Sequence, residues 1–125
     1  MNENMNENMN QRYAVVTGAS KGIGFSMAKS LQAEGYMVYG LSRKPGSLEA
    51  VRWMSCDVAD SESVKQVFSE ILNETGRMDL LVCNAGIGIS GAAEFTQESD
   101  YARQMEVNFM GAVNCALQAA PVMRR

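Results

Sequence analysis

Histidine is absent from this 125-residue chain. Its absence removes Ser-His-Asp and Cys-His nucleophilic catalysis, and with them the commonest side-chain ligand for transition metals. Cysteine is scarce and odd in number. Cys56, Cys83 and Cys115 form no C-x-x-C pair, so the expectation is free thiols in a reducing cytosol, without a disulfide or a metal site. There is no cationic excess for nucleic acid or an anionic membrane, because Lys plus Arg number 11 against 14 for Asp plus Glu, a net charge of −3. No apolar run is long enough to span a bilayer. Small molecules, or copies of the chain itself, are the expected partners, and the cytoplasm is the expected location.

Residues 1–11 repeat a Met-Asn-Glu-Asn unit with no cationic start and no apolar stretch, which predicts a disordered polar tail rather than a signal peptide. Residues 12–125 then read as one domain in which strand and helix patterns alternate, the signature of parallel βαβ units. Strand one is Tyr13 to Thr17. A helix follows with Ile23, Met27 and Leu31 on its apolar stripe and ends at Gly35; Met27 reads as core filler. Strand two covers Met37 to Leu41, and a weaker strand lies within Val51 to Cys56. Asp60 or Ser61 caps a helix carrying Val64, Val67, Phe68, Ile71 and Leu72, which stops near Gly76. Asp79 to Cys83 is an apolar strand of the kind covered on both faces. After a glycine-rich loop from Gly86 to Gly91, a long helix runs from Asp100 towards Met123, with Pro121 near its end.

The segment with the most chemistry is Thr17-Gly18-Ala19-Ser20-Lys21-Gly22-Ile23-Gly24, between the first strand and its helix. A helix N-terminus offers unpaired N–H groups and a positive dipole end, and glycines let a pyrophosphate approach closely. The alternative is a tight turn that binds nothing.

Thr-Gly-x-x-x-Gly-x-Gly after the first strand resembles the motif of the one-domain members of the short-chain dehydrogenase/reductase family, and further motifs follow in that family's order. Asp57-Val58 looks like the pair that holds adenine, Asn84-Ala85-Gly86 like the segment ending strand four beside the cofactor, and Asn108 like the helix asparagine of the catalytic set. The resemblance implies a partial Rossmann-type, doubly wound parallel sheet of strand order 3-2-1-4. It places Gly18, Ser20, Lys21, Gly22, Ile23, Gly24, Ser42, Arg43, Asp57, Val58, Asn84, Ala85 and Gly86 around an NAD(P) cofactor, and implies a carbonyl or alcohol as substrate. It also implies subunit contacts through the last long helix.

An acidic residue after strand two would favour NAD. Here Leu41-Ser42-Arg43-Lys44 stands instead, and Arg43 offers a planar fork suited to phosphate, with Ser42 and Lys21 nearby, so NADP(H) is expected over NAD(H). The alternative is a solvated basic turn. Asn108 shares a spacing of three and four residues with Met105 and Ala112, and so is expected on the apolar stripe with Tyr101, its amide buried and partnered. The family implies that this Asn bends its helix and orders a water in a proton relay; the alternative is a structural back-bond.

The family's hydride transfer also uses a Tyr followed four residues later by Lys, and a Ser on the substrate oxygen. Tyr13, Tyr36, Tyr39 and Tyr101 are followed at that spacing by Thr17, Gly40, Arg43 and Met105. The expectation is therefore a cofactor-binding portion incomplete at its C-terminus and inactive alone, with a non-catalytic nucleotide-binding or interaction module as the rival. Strand four becomes a sheet edge, an aggregation risk.

Overall fold

Arg12–Thr17 form β1, and its last four residues are all buried, as a central parallel strand with helices on both faces requires. The computed structural model describes residues 10–87 and 93–124. Residues 1–9 of the tail and 88–92 of the glycine-rich loop lie outside the described residues. Gln11, grouped with the tail by composition, joins the fold: its side-chain amide donates to Gly35 O at 2.9 Å.

After β1 come α1 (Gly22–Ala33), β2 (Tyr36–Ser42), β3 (Arg52–Ser55), α2 (Ser61–Thr75) and β4 (Leu80–Val82). A short 3-10 turn (Ala93–Phe95) leads to α3 (Glu98–Met105), a π-helical turn (Glu106–Met110) and α4 (Gly111–Met123). Every strand pairing is parallel and the order is β3-β2-β1-β4, the partial Rossmann-type sheet that the family resemblance implies.

Local chemistry accounts for the element ends. Asp60 caps α2, its carboxylate accepting from Glu62 N at 3.0 Å and Ser63 N at 3.4 Å, and Gly76 stops the helix at φ 71°. The inward face of α2, Val64, Val67, Phe68 and Ile71, packs on Val15, Tyr39 and Leu41 of the sheet and on Cys115 and Ala119 of α4. On the opposite face Ala14, Val16 and Val38 pack with Ala28 of α1.

Three expectations are corrected. In α1 the residues that reach the core are the small ones, Gly24 and Ala28; Ile23 is 73% and Met27 38% exposed. Met27 is thus no core filler. It lines an apolar groove of about 610 Å³ with Ile23, Leu31, Leu80 and Val82, because β4 is the outermost strand and no described element covers that side. For the same reason β4 is short and only half-buried, not enclosed on both faces. The third correction concerns the last helix, which a π turn interrupts and which buries Val107, Gly111, Cys115 and Ala119. The stripe of Tyr101, Met105 and Asn108 is exposed. Apolar spacing did not fix which side of this helix meets the core, since Phe109, Met110 and Leu117 are exposed as well. Pro121 lies inside α4.

Candidate cofactor site

The site grows from the turn between β1 and α1. Gly18 N donates to Leu41 O at 2.8 Å, which ties the turn to the end of β2. Gly18 takes φ 66°, and a Cβ there would lie 2.9 Å from Ala85 Cα. A Cβ on Gly24 would lie 2.2 Å from Gly18 O and 2.5 Å from Asn84 Nδ2. Only glycine lets the start of α1 rest on the turn and the turn rest on the segment after β4. Lys21 caps α1 with no side-chain hydrogen bond, and no acidic residue occupies the first turn. The N–H groups and positive end of the helix thereby stay available to an anion.

Thr17, 2% exposed, braces the neighbouring segment. Its Oγ1 accepts from Asn84 N at 2.9 Å and Ala85 N at 3.0 Å, while Asn84 Nδ2 donates to Gly18 O at 3.3 Å. The ends of β1 and β4 are therefore fixed to one another.

A cleft of about 640 Å³ opens along the C-terminal ends of all four strands, the crevice where open α/β sheets bind ligands. Gly18, Ser20 and Lys21 line it from the glycine turn; Leu41, Ser42, Arg43 and Lys44 from β2; Cys56, Asp57 and Val58 from β3; and Ala85, Gly86 and Ile87 from β4. Arg103 and Val107 close the side facing the last helix. Polar and charged groups concentrate here, in contrast to the apolar groove beside β4.

Nine of the sequence-derived residues thus meet in one cleft: Gly18, Ser20, Lys21, Ser42, Arg43, Asp57, Val58, Ala85 and Gly86. Gly22 and Ile23 line the apolar groove on the other side of the turn. Gly24 and Asn84 stand behind the wall as braces. Asn108 is exposed rather than buried, and its amide bonds to the backbone of Ile87 rather than back to its own helix.

Electrostatics divides the cleft. Lys21, Arg43 and Lys44 are exposed, and none of them forms an ion pair among the described residues. Ser42 Oγ donates to Lys44 O, which shapes the basic turn. Asp57 is held by its own loop: its Oδ1 accepts from Ala59 N at 3.1 Å and its N donates to Ser63 Oγ at 3.2 Å. Burial pushes the Cys56 thiol up, outweighing the Ser63 hydrogen bond, so a neutral thiol lines the wall. Burial also raises Cys83 and pushes Cys115 up to about 12, so none of the three is a primed nucleophile. Among the described residues no cluster of His, Cys, Asp or Glu could hold a metal ion, and no helix is long and apolar enough to cross a membrane.

Leu41, Lys44, Cys56, Ile87, Arg103 and Val107 were missed from sequence. Leu41 and Cys56 stand at the ends of β2 and β3, where the strand-end rule alone would have found them. Arg103 and Val107 depend on the rotation of the last helix, for which no local signal exists.

A parallel sheet with its cleft at the strand ends and a glycine turn before the first helix defines a Rossmann-like nucleotide-binding fold. The chain belongs to the short-chain dehydrogenase family, whose model, described as short chain dehydrogenase, matches residues 12–125. It is 43% identical over 118 residues to a 3-ketodihydrosphingosine reductase of Bacteroides thetaiotaomicron, covering 94% of this chain and 44% of that protein. Among solved structures it is similar to the ligand-free aldohexose dehydrogenase of Thermoplasma acidophilum, with TM-score 0.86, 33% identity, and 94% of this chain and 46% of that one covered. An alcohol dehydrogenase of Thermococcus sibiricus complexed with 5-hydroxy-NADP matches with TM-score 0.83 and 27% identity over 93% of this chain and 55% of that one. The chain therefore spans about half the length of the relatives it matches.

Proposed function

We propose that the chain is the NADP(H)-binding portion of an oxidoreductase that moves hydride between NADPH and a small carbonyl or alcohol substrate. The observation that carries this reading is the cleft lined together by the glycine turn before α1, through Gly18, Ser20 and Lys21, and by the basic turn after β2, through Ser42, Arg43 and Lys44. Gly18, Ser20 and Lys21 would hold the pyrophosphate with the N–H groups of Gly22, Ile23 and Gly24. Ser42, Arg43 and Lys21 would hold the 2′-phosphate, which favours NADP(H) over NAD(H). Asp57 and Val58 would receive the adenine, and Asn84, Ala85 and Gly86 would border the ribose and nicotinamide side. The nicotinamide, when bound, supplies the hydride.

Asn108 is assigned to the catalytic set as a positioning residue. The π turn of Glu106–Met110 interrupts the helical ladder around it, in keeping with the bend the family resemblance implies. A cytoplasmic location and self-association through the last helix belong to the same reading; exposed Met105, Phe109 and Leu117 support the latter.

The test is titration of the chain with NADPH, followed by amide hydrogen exchange. The expected result is saturable binding with protection in residues 18–24, 41–44 and 84–87. Absence of saturable binding, or protection confined to other segments, would defeat the proposal.

A further inference from the structure

The last helical stretch buries Val107, Gly111, Cys115 and Ala119 at successive steps of four. Arg103 occupies the next step towards the N-terminus and is half-buried at the wall of the cofactor cleft. Asn114 Nδ2 donates to Val58 O at 2.8 Å, which fastens α4 to the loop after β3 and limits rolling of the helix. The helical stretch so anchored carries Arg103 to the cleft that Asp57 and Val58 also line.

The carboxylate paired with Arg103 is Glu106, at 3.9 Å, in an exposed pair. That separation is beyond hydrogen-bonding distance and such pairs contribute little in water. Arg103 shares the cleft lining with Cys56, Asp57, Val58 and Val107, apolar or neutral but for Asp57, whose Oδ1 accepts from Ala59 N, whereas Lys21 and Arg43 line it from the glycine turn and the turn after β2. A planar cation whose carboxylate partner among the described residues is this loose, in a cleft that Val58 and Val107 also line, suits the face of a flat π-system better than a phosphate. We infer that Arg103 stacks on the base of the bound dinucleotide and closes the adenine subsite opposite Val58. This inference rests on the proposed cofactor reading and adds to it a residue that selects for the base.

Calorimetric binding of 2′,5′-ADP, and of pyrophosphate as a ligand without a base, to the full chain and to its Arg103→Met and Arg103→Lys variants tests the assignment. Melting curves establish first that each variant is folded, with Arg103→Gln replacing one that is not. Both variants are expected to lose about three- to tenfold in affinity for 2′,5′-ADP while binding pyrophosphate as the unaltered chain does. Lysine is not expected to rescue, because it keeps the charge and loses the plane. Full affinity for 2′,5′-ADP in Arg103→Lys would indicate a phosphate contact and overturn the stacking. Unchanged affinity in Arg103→Met would overturn any role, and equal loss of pyrophosphate binding would overturn the assignment to the base. If the unaltered chain binds neither 2′,5′-ADP nor NADPH, the cofactor reading itself fails and the inference goes with it.

Discussion

Asn108 clasps the backbone of Ile87, its Oδ1 accepting from Ile87 N at 2.7 Å and its Nδ2 donating to Ile87 O at 2.8 Å. The pair joins the π turn of the last helix to the segment after β4, beside Gly86. Replacing the amide leaves both backbone groups of Ile87 without their protein partner, although exposure lets water take over in part. Asn108→Ala is expected to cost about 1 kcal/mol, and Asn108→Asp, which keeps the acceptor and loses the donor, less. Urea unfolding of the three proteins checks the order; equal stability of Asn108→Ala and the unaltered chain would remove the clasp from the account.

Gly22 and Gly24 are two residues apart and are expected to respond differently to the same substitution. A Cβ on Gly22 meets nothing within 4 Å, and the cost there is the positive φ of 63°, about 1 kcal/mol. A Cβ on Gly24 would lie 2.2 Å from Gly18 O, so Gly24→Ala must separate α1 from the turn, at about 3 kcal/mol. Chemical denaturation of both alanine variants gives the comparison. Equal effects would contradict the close approach.

Asp79 links the start of β1 to the segment before β4: its carboxylate accepts from Tyr13 N at 2.8 Å and is paired with Arg77. Burial by itself would raise its pKa, but the hydrogen bonds from Arg77 and Tyr13 N and the charges of Arg77 and Arg12 outweigh that and hold it below the usual carboxylate range. Its folded pKa therefore lies below its unfolded value of about 3.9. The resulting stability is fully present above that unfolded value and is lost as pH falls through the folded pKa. Asp79→Asn should be clearly less stable than the unaltered chain at pH 7, with the gap narrowing below about pH 4. Urea midpoints across that range decide it, and a gap that stays constant to pH 2 would contradict the linkage.

Tyr39 behaves in the opposite sense. Burial first, then its hydrogen bond to Glu74 at 2.7 Å and the Glu74 charge, push its phenol up to about 12. Its neutral form is favoured in the folded state, a stabilisation present below the unfolded pKa of about 10 and lost as pH rises through about 12. Ultraviolet titration of the folded chain should show a phenol ionising at about pH 12, and Tyr39→Phe should remove that step. Persistence of the step in Tyr39→Phe would assign it elsewhere.

What could be read from the residues were features with a local physical cause. The buried run Ala14 to Thr17, the Asp60 cap and the Gly76 stop each follow from a few neighbouring residues, and their order sets the sheet. The glycine turn was legible for the same reason, since its spacing encodes close approach. The rotation of the last helix was not. Tyr101, Met105 and Asn108 are spaced as a stripe, but the buried side is set by contacts far away in sequence, such as Asn114 with Val58. Met27 was misread because helix periodicity shows that a face is apolar without showing what covers it. Arg103 carried no signal at all, because its place in the cleft depends on that same rotation.

The proposed preference for NADP(H) depends on the turn that follows β2, and the most direct measurement is the ratio of NADPH to NADH affinity in the unaltered chain and in Arg43→Ala. Loss of a charged partner for the 2′-phosphate should cost about 1.5–3 kcal/mol, a fall of roughly tenfold or more in NADPH affinity, with NADH affinity nearly unchanged. The ratio should therefore collapse towards one. An unchanged ratio in Arg43→Ala would show that this turn does not read the phosphate, and the proposed NADP(H) preference would have to be abandoned.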